Sequence, residues 1–301
     1  MSISLTIRTP PPNPLTNSSS TARLAAARGF AMVARVMAWK RVAIVVAVVL
    51  VLGGAGAAVL TGITTMAHDG RTASDKGAAR AHDWRTASHE PAGIAPDPAT
   101  TPEAVAQVYV ARAWGWRGTF GVHSWIAVKP SGAPAFTRYE VIGWRVLHGG
   151  GGSALSISNR PADARWFGSM PVLIAEVRGD GVDAIIARID AAAKSYPFAN
   201  EYRVWPGPNS NTFTAHVGRA VPELKMDLPP TAIGKDYLTN GSVFAAAPSG
   251  TGFQVSLFGL LGVLAAVEEG LEINVLGLTF GIDPKDLALK LPLAGRIGPG
   301  A

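Results

Sequence analysis

Trp205-Pro206-Gly207-Pro208-Asn209-Ser210-Asn211-Thr212-Phe213 is the stretch on which the reading of the fold turns. Two prolines and a glycine make a stiff turn, and Asn209 is a strong helix N-cap. Phe213, Val217 and Ala220 then share one helical face, which stops before Pro222. Ser210 therefore stands in the first turn, near unpaired backbone amides and the positive end of the helix dipole, where an oxyanion gains about 0.3–2 kcal/mol. Two readings stay open there. Ser and Asn gather at helix starts simply to satisfy those amides, and the same place also suits a nucleophile.

A hydroxyl needs a nearby base before it can attack. Of six histidines, His68, His82 and His89 fall in a polar tether, His148 borders the glycines 149–152, and His216 is about 240° around the helix from Ser210. His123 remains. It lies in Thr119–Val128, where Val122, Ser124, Ile126 and Val128 alternate with His123, Trp125 and Ala127 as in a strand. Pro130-Ser131-Gly132 turns this strand toward a second one over Tyr139–Val146, which brings Glu140 within reach of the imidazole. A half-buried structural histidine and a solvated strand carboxylate are the competing readings. In the catalytic reading Ser210 attacks, His123 is the base, Glu140 orients it, and Asn209, Asn211 with its neighbouring amides, and Trp125 contact substrate or oxyanion.

The remaining elements are coarser. Thr101-Pro102-Glu103 opens a helix with Val105, Val108, Tyr109 and Ala113 on one face. Val172–Val177 is a short buried strand. Asp180 caps a helix carrying Val182, Ile185, Ile186 and Ile189 inward, and Tyr202–Trp205 is a strand. Val255–Val267 is an apolar helix ending at Glu268-Glu269, too short to span a bilayer and suited to a core or interfacial place. Leu271, Ile273 and Val275 alternate, then Leu278, Phe280 and Ile282 resume out of phase, as across a bulge or bend in one strand. The fold class is α+β, a mixed sheet with short helices.

Composition removes several chemistries. With Cys 0 there are no disulfides, thiolate nucleophiles or Cys-ligated metals, and no cofactor or metal site is expected. The net charge of +6 invites a nucleic-acid reading, but residues 1–41 hold six basic groups and no acid, leaving 21 basic and 21 acidic residues beyond them. Nucleic acid is therefore not an expected partner. Ser249-Gly250-Thr251-Gly252 and Gly234-Lys235-Asp236 do not form a phosphate loop, and adjacent Glu268 and Glu269 do not face each other on a helix.

Val42–Met66 is an uncharged run of 25 residues, long enough for a hydrocarbon core of about 30 Å. The basic flank ending in Lys40-Arg41 puts the N-terminus in the cytoplasm and the rest outside, as an uncleaved single-pass anchor or, alternatively, a cleaved signal. Met37 also begins a compact signal start, which leaves 1–36 readable as an over-long gene start. The organisation expected is a basic tail over 1–41, a membrane segment over 42–66, a linker over 67–102 and an extracytoplasmic domain over 103–298. The linker repeats Ala67-His68-Asp69 through Ser74 as Ala81-His82-Asp83 through Ser88, two copies only, as in a lengthened tether.

The segments WRGTFGVHSWIAVKP, YEVIGWR, RWFGSMP, YRVWPGPNSNTFTAHVGRAVPEL and GLEINVLGLTFGIDP closely resemble the bacterial family known as domain of unknown function 3750, over roughly Glu90 to Gly298. That resemblance implies no activity. His123-Ser124-Trp125 ahead of Asn209-Ser210-Asn211-Thr212-Phe213 also resembles the circularly permuted papain-like proteins, including lecithin:retinol acyltransferase-like and cell-wall amidase-like members. Their pattern carries cysteine where this chain has Ser210. The function expected is that of an inner-membrane-anchored envelope protein acting as a serine-type hydrolase or acyltransferase on an amide or ester. The alternative is a non-catalytic envelope protein binding lipid, muropeptide or a partner.

Overall fold

In the computed structural model the described residues are 86–147 and 152–299. The apolar run 42–66 and the glycine loop at 148–151 lie outside them, and among the described residues no helix is long and apolar enough to cross a membrane.

Five strands, β1 (Val105–Arg112), β2 (Val122–Lys129), β3 (Thr137–Val141), β4 (Leu155–Ser158) and β5 (Val172–Arg178), form a sheet in the order β4-β3-β2-β1-β5. Every pairing is antiparallel, so the sheet is not mixed. The helix predicted over 105–113 is instead β1. It is the second strand in from the β5 edge and is buried on both faces, so its Val-rich run lacks the alternation that marks a one-sided strand. The proline read as a helix start closes a turn, its carbonyl accepting from Gly132 N at 2.8 Å.

One face packs on α2 (Val182–Lys194) and α3 (Ser210–Ala220). Val108, Val110, Ile126, Val128 and Val141 meet Ile186, Ile189, Phe213 and Val217 there. The other face holds Tyr109, Trp125, Phe136 and Trp166. β3 is shorter than predicted, because the chain leaves it at Ile142 to form α1 (Trp144–Leu147). Tyr202–Trp205 is irregular and not a strand. Residues assigned above to the linker are bound to this domain: Arg165 N donates to Glu90 O at 2.9 Å, and Ile94 N to Asp163 Oδ2 at 2.6 Å.

The C-terminal part is a second, seven-stranded antiparallel meander in sequence order: β6 (Phe244–Ala246), β7 (Gly252–Leu257), β8 (Leu261–Ala266), β9 (Gly270–Val275), β10 (Leu278–Asp283), β11 (Ala288–Leu291) and β12 (Gly295–Ile297). The predicted helix 255–267 is thus the β7–β8 hairpin. The phase change after Val275 is a hairpin between two strands, with Leu276 and Gly277 at φ 52° and 79°, and not a bulge within one. Glu268 and Glu269 end no helix. They occupy the β8–β9 turn, where Glu269 accepts from Ser249 N at 2.9 Å.

Candidate active site

His123 is the second residue of β2 and Glu140 stands on β3, on the same side of the sheet as Trp125. Burial by itself raises the Glu140 carboxyl, but the His123 hydrogen bond and the Arg138 charge outweigh it and bring the group down to about 2. An ionised carboxylate only accepts, so His123 Nε2–H is the donor in the 3.0 Å bond to Glu140 Oε2. Arg138 donates to the same oxygen at 2.7 Å, and Arg160 approaches the other at 3.8 Å. Nδ1 of His123 is left with the lone pair. It has no protein partner among the described residues.

Burial lowers the His123 pKa further than Glu140 restores it, so the ring is neutral at pH 7. The imidazole is also clamped, stacked on Trp166 at 3.5 Å between centroids and facing Trp125 on its other flank at 5.8 Å. The Arg138 guanidinium lies 4.0 Å over the Trp125 ring.

Ser210 begins α3. Asn209 caps that helix in full, its Oδ1 accepting from Asn211 N at 2.9 Å and Thr212 N at 3.2 Å, while Thr212 Oγ1 accepts from Asn209 N at 3.1 Å. The Ser210 hydroxyl takes no part in capping and makes no hydrogen bond among the described residues. It is not bonded to His123. Both residues line one cavity of about 1120 Å³ at the end of the five-stranded sheet.

Three assignments from the sequence are occupied otherwise. Asn211 N serves the cap, and the Asn211 side chain ties α3 to its surroundings, donating to Val122 O and Ile233 O at 3.0 and 2.8 Å and accepting from Ser124 Oγ at 2.9 Å. Asn209 Nδ2 is spent on Val204 O and Ile233 O at 3.1 and 3.0 Å. Trp125 Nε1 donates to Ala162 O at 2.7 Å, and its ring lies beneath His123 in the core. The first-turn amide that the cap leaves unused is that of Ser210 itself.

The cavity walls were not visible in the sequence. Trp114, Trp116, Trp144, Trp166 and Trp205, five of the eight tryptophans, line it with Phe120, Phe167 and Tyr202. His89, placed above in the tether, also lines it and meets Arg165 O at 3.3 Å. The signal available was compositional, tryptophans crowded into segments with no helix or strand period, and it names no partner residue. His216 is turned away as expected, bonded to Thr239 Oγ1 at 2.9 Å. Among the described residues no three His, Asp or Glu side chains are grouped to hold a metal.

Fold and site together define an α+β domain with an aromatic-walled cavity whose floor carries a neutral, carboxylate-held histidine and a helix-start serine. Residues 103–237 match the family described as protein of unknown function (DUF3750). The match covers the five-stranded sheet, α2 and α3 and ends before the second sheet. No curated protein and no solved structure matches the chain.

Proposed function

We propose that the cavity carries out acyl transfer on an amide or ester, to water or to a second acceptor. The observation that supports this most is the His123–Glu140 pair: a neutral imidazole, fixed by an ionised carboxylate through Nε2, with Nδ1 free in a cavity it shares with the unbonded Ser210 hydroxyl. Ser210 Oγ attacks the acyl carbon as its proton passes to Nδ1. The Ser210 amide, at the positive end of α3, steadies the oxyanion. The leaving amine or alkoxide takes the proton from His123, and water or an acceptor hydroxyl, deprotonated by the same ring, releases the acyl group from Ser210. The resemblance to permuted papain-like proteins supports the order of strand histidine and helix-start nucleophile, with serine in place of cysteine. The chain acts in the cell envelope, tethered by Val42–Met66 in the inner membrane.

The aromatic walls favour one second reading, a cavity that binds an apolar-bodied ligand without turnover. A p-nitrophenyl acyl ester separates the two. Acyl transfer gives a nitrophenolate burst equal to the protein present and a mass gain on Ser210; binding alone changes tryptophan fluorescence and releases nothing.

A further inference from the structure

The seven-stranded sheet has its polarity reversed. Its inner face, against the rest of the domain, carries Gln254, Glu272, Asn274 and Lys290, all at most 4% exposed. Lys290 Nζ bonds Glu272 at 2.9 Å and Asp227 at 2.7 Å, Lys235 joins Glu272, and Asn274 bonds Asp236 at 2.5 Å. The outer face is apolar throughout. Register sets Val255 opposite Val263, Val263 opposite Ile273, Ile273 opposite Phe280, and Ile282 between Leu271 and Leu289. No charged side chain stands at a paired outward position, and Leu271 and Leu289 are 44% and 51% exposed. The apolar surface continues onto the turn tips. Phe258 and Leu276 hold φ of 54° and 52°, where Asn or Gly is the usual choice, and are 75% and 63% exposed. An apolar patch of this extent is a contact surface.

We propose that this face lies on a lipid bilayer. The chain itself supplies the first argument: 19 residues separate the uncharged run ending at Met66 from Thr86. That spacing leashes the domain within roughly 70 Å of whatever the run occupies, at about 3.3–3.6 Å per residue. The run has the length of a membrane core. The tips supply the second. Two copies packed sheet on sheet cover the strands and leave hairpin tips in water, whereas lipid receives both. Continuity with the cavity supplies the third, because Trp205, half-exposed on the cavity wall, donates to Leu276 O at 2.9 Å. The tip of the sheet therefore adjoins the wall of the cavity that Ser210 also lines. The docking itself rests on the reading of 42–66 as an anchor and not on the chemistry at Ser210.

The absence of native cysteine makes single-site labelling direct. Full-length chains carrying a nitroxide at Val263→Cys, Leu271→Cys or Ala187→Cys, the last on the exposed side of α2, are reconstituted into phosphatidylcholine–phosphatidylglycerol vesicles. Collision with oxygen and with a water-soluble nickel chelate is then read by paramagnetic resonance. The labels at 263 and 271 should meet oxygen several-fold more than nickel, and the label at 187 the reverse. Protein that floats with the vesicles while 263 and 271 stay open to nickel overturns the docking and leaves the anchor standing. Labels shielded from both reagents also overturn it, in favour of a second copy if they broaden each other and of the chain's own apolar run if they do not. Protein that fails to float overturns anchor and docking together.

Discussion

An imidazole serves as a base at neutral pH only while its surroundings hold it unprotonated and aimed, and His123 has both conditions met by the side chains packed around it. Burial keeps the ring neutral, Glu140 takes the Nε2 proton side, and Trp166 and Trp125 fix its plane. Because the His123 pKa lies below its ordinary 6.5, phosphonate labelling of Ser210 should rise with pH to a midpoint under 6.5 and stay flat above pH 7. A midpoint at 7 or higher would show that another group is the base. Stability follows Glu140 with a definite sign. Glu140, depressed from 4.5 to about 2, contributes fully above pH 4.5, and that contribution fades as pH falls toward 2. Glu140→Gln leaves the Arg138 guanidinium buried without its counter-charge. It should cost on the order of 3 kcal/mol at pH 7 in urea melts, and the gap to the parent protein should narrow below pH 4.

Helix α3 is where sequence and structure meet most closely. Asn209 caps it, Thr212 completes the box, and Gly234, at φ 97° against the Asn209 amide, leaves no room for a Cβ. Asn209→Ala removes the cap and two further bonds to Val204 and Ile233, so a loss of about 1–2 kcal/mol in thermal unfolding is expected. Asn209→Asp should recover part of it, since the carboxylate caps but cannot donate. This cap, the Pro130–Gly132 hairpin and the inward face of α2 were legible because each rests on local chemistry: a side-chain acceptor, a turn proline, a 3.6-residue period. Three things were not. Strand β1 is covered on both faces and so shows no alternation. The β7–β8 hairpin hides its turn by placing Phe258 where Asn is usual. The cavity draws Trp114, Trp144, Trp166 and Trp205 from separate segments, a convergence created only by folding.

At the scale of the whole molecule two sheets divide the work. The first, flanked by α2 and α3, carries the histidine, its carboxylate and the serine, and is the part that matches the family. The second contributes a buried charge network inward and an apolar face outward. Glu272 sits between Lys235 and Lys290, so Glu272→Ala takes the hydrogen-bonded carboxylate from buried Lys235 and leaves Lys290 with Asp227 alone, and should lower stability by about 3 kcal/mol in calorimetry, whereas a surface change such as Lys194→Ala should shift it by under about 0.5 kcal/mol. The most direct measurement of the central claim, that His123 activates Ser210, is labelling of the full chain with a fluorophosphonate and mapping of the adduct by mass spectrometry. Labelling on Ser210 that disappears in Ser210→Ala and in His123→Gln, with both variants melting as cooperatively as the parent, is the predicted result. An unlabelled Ser210 in the parent protein, or labelling that survives loss of His123, would contradict it.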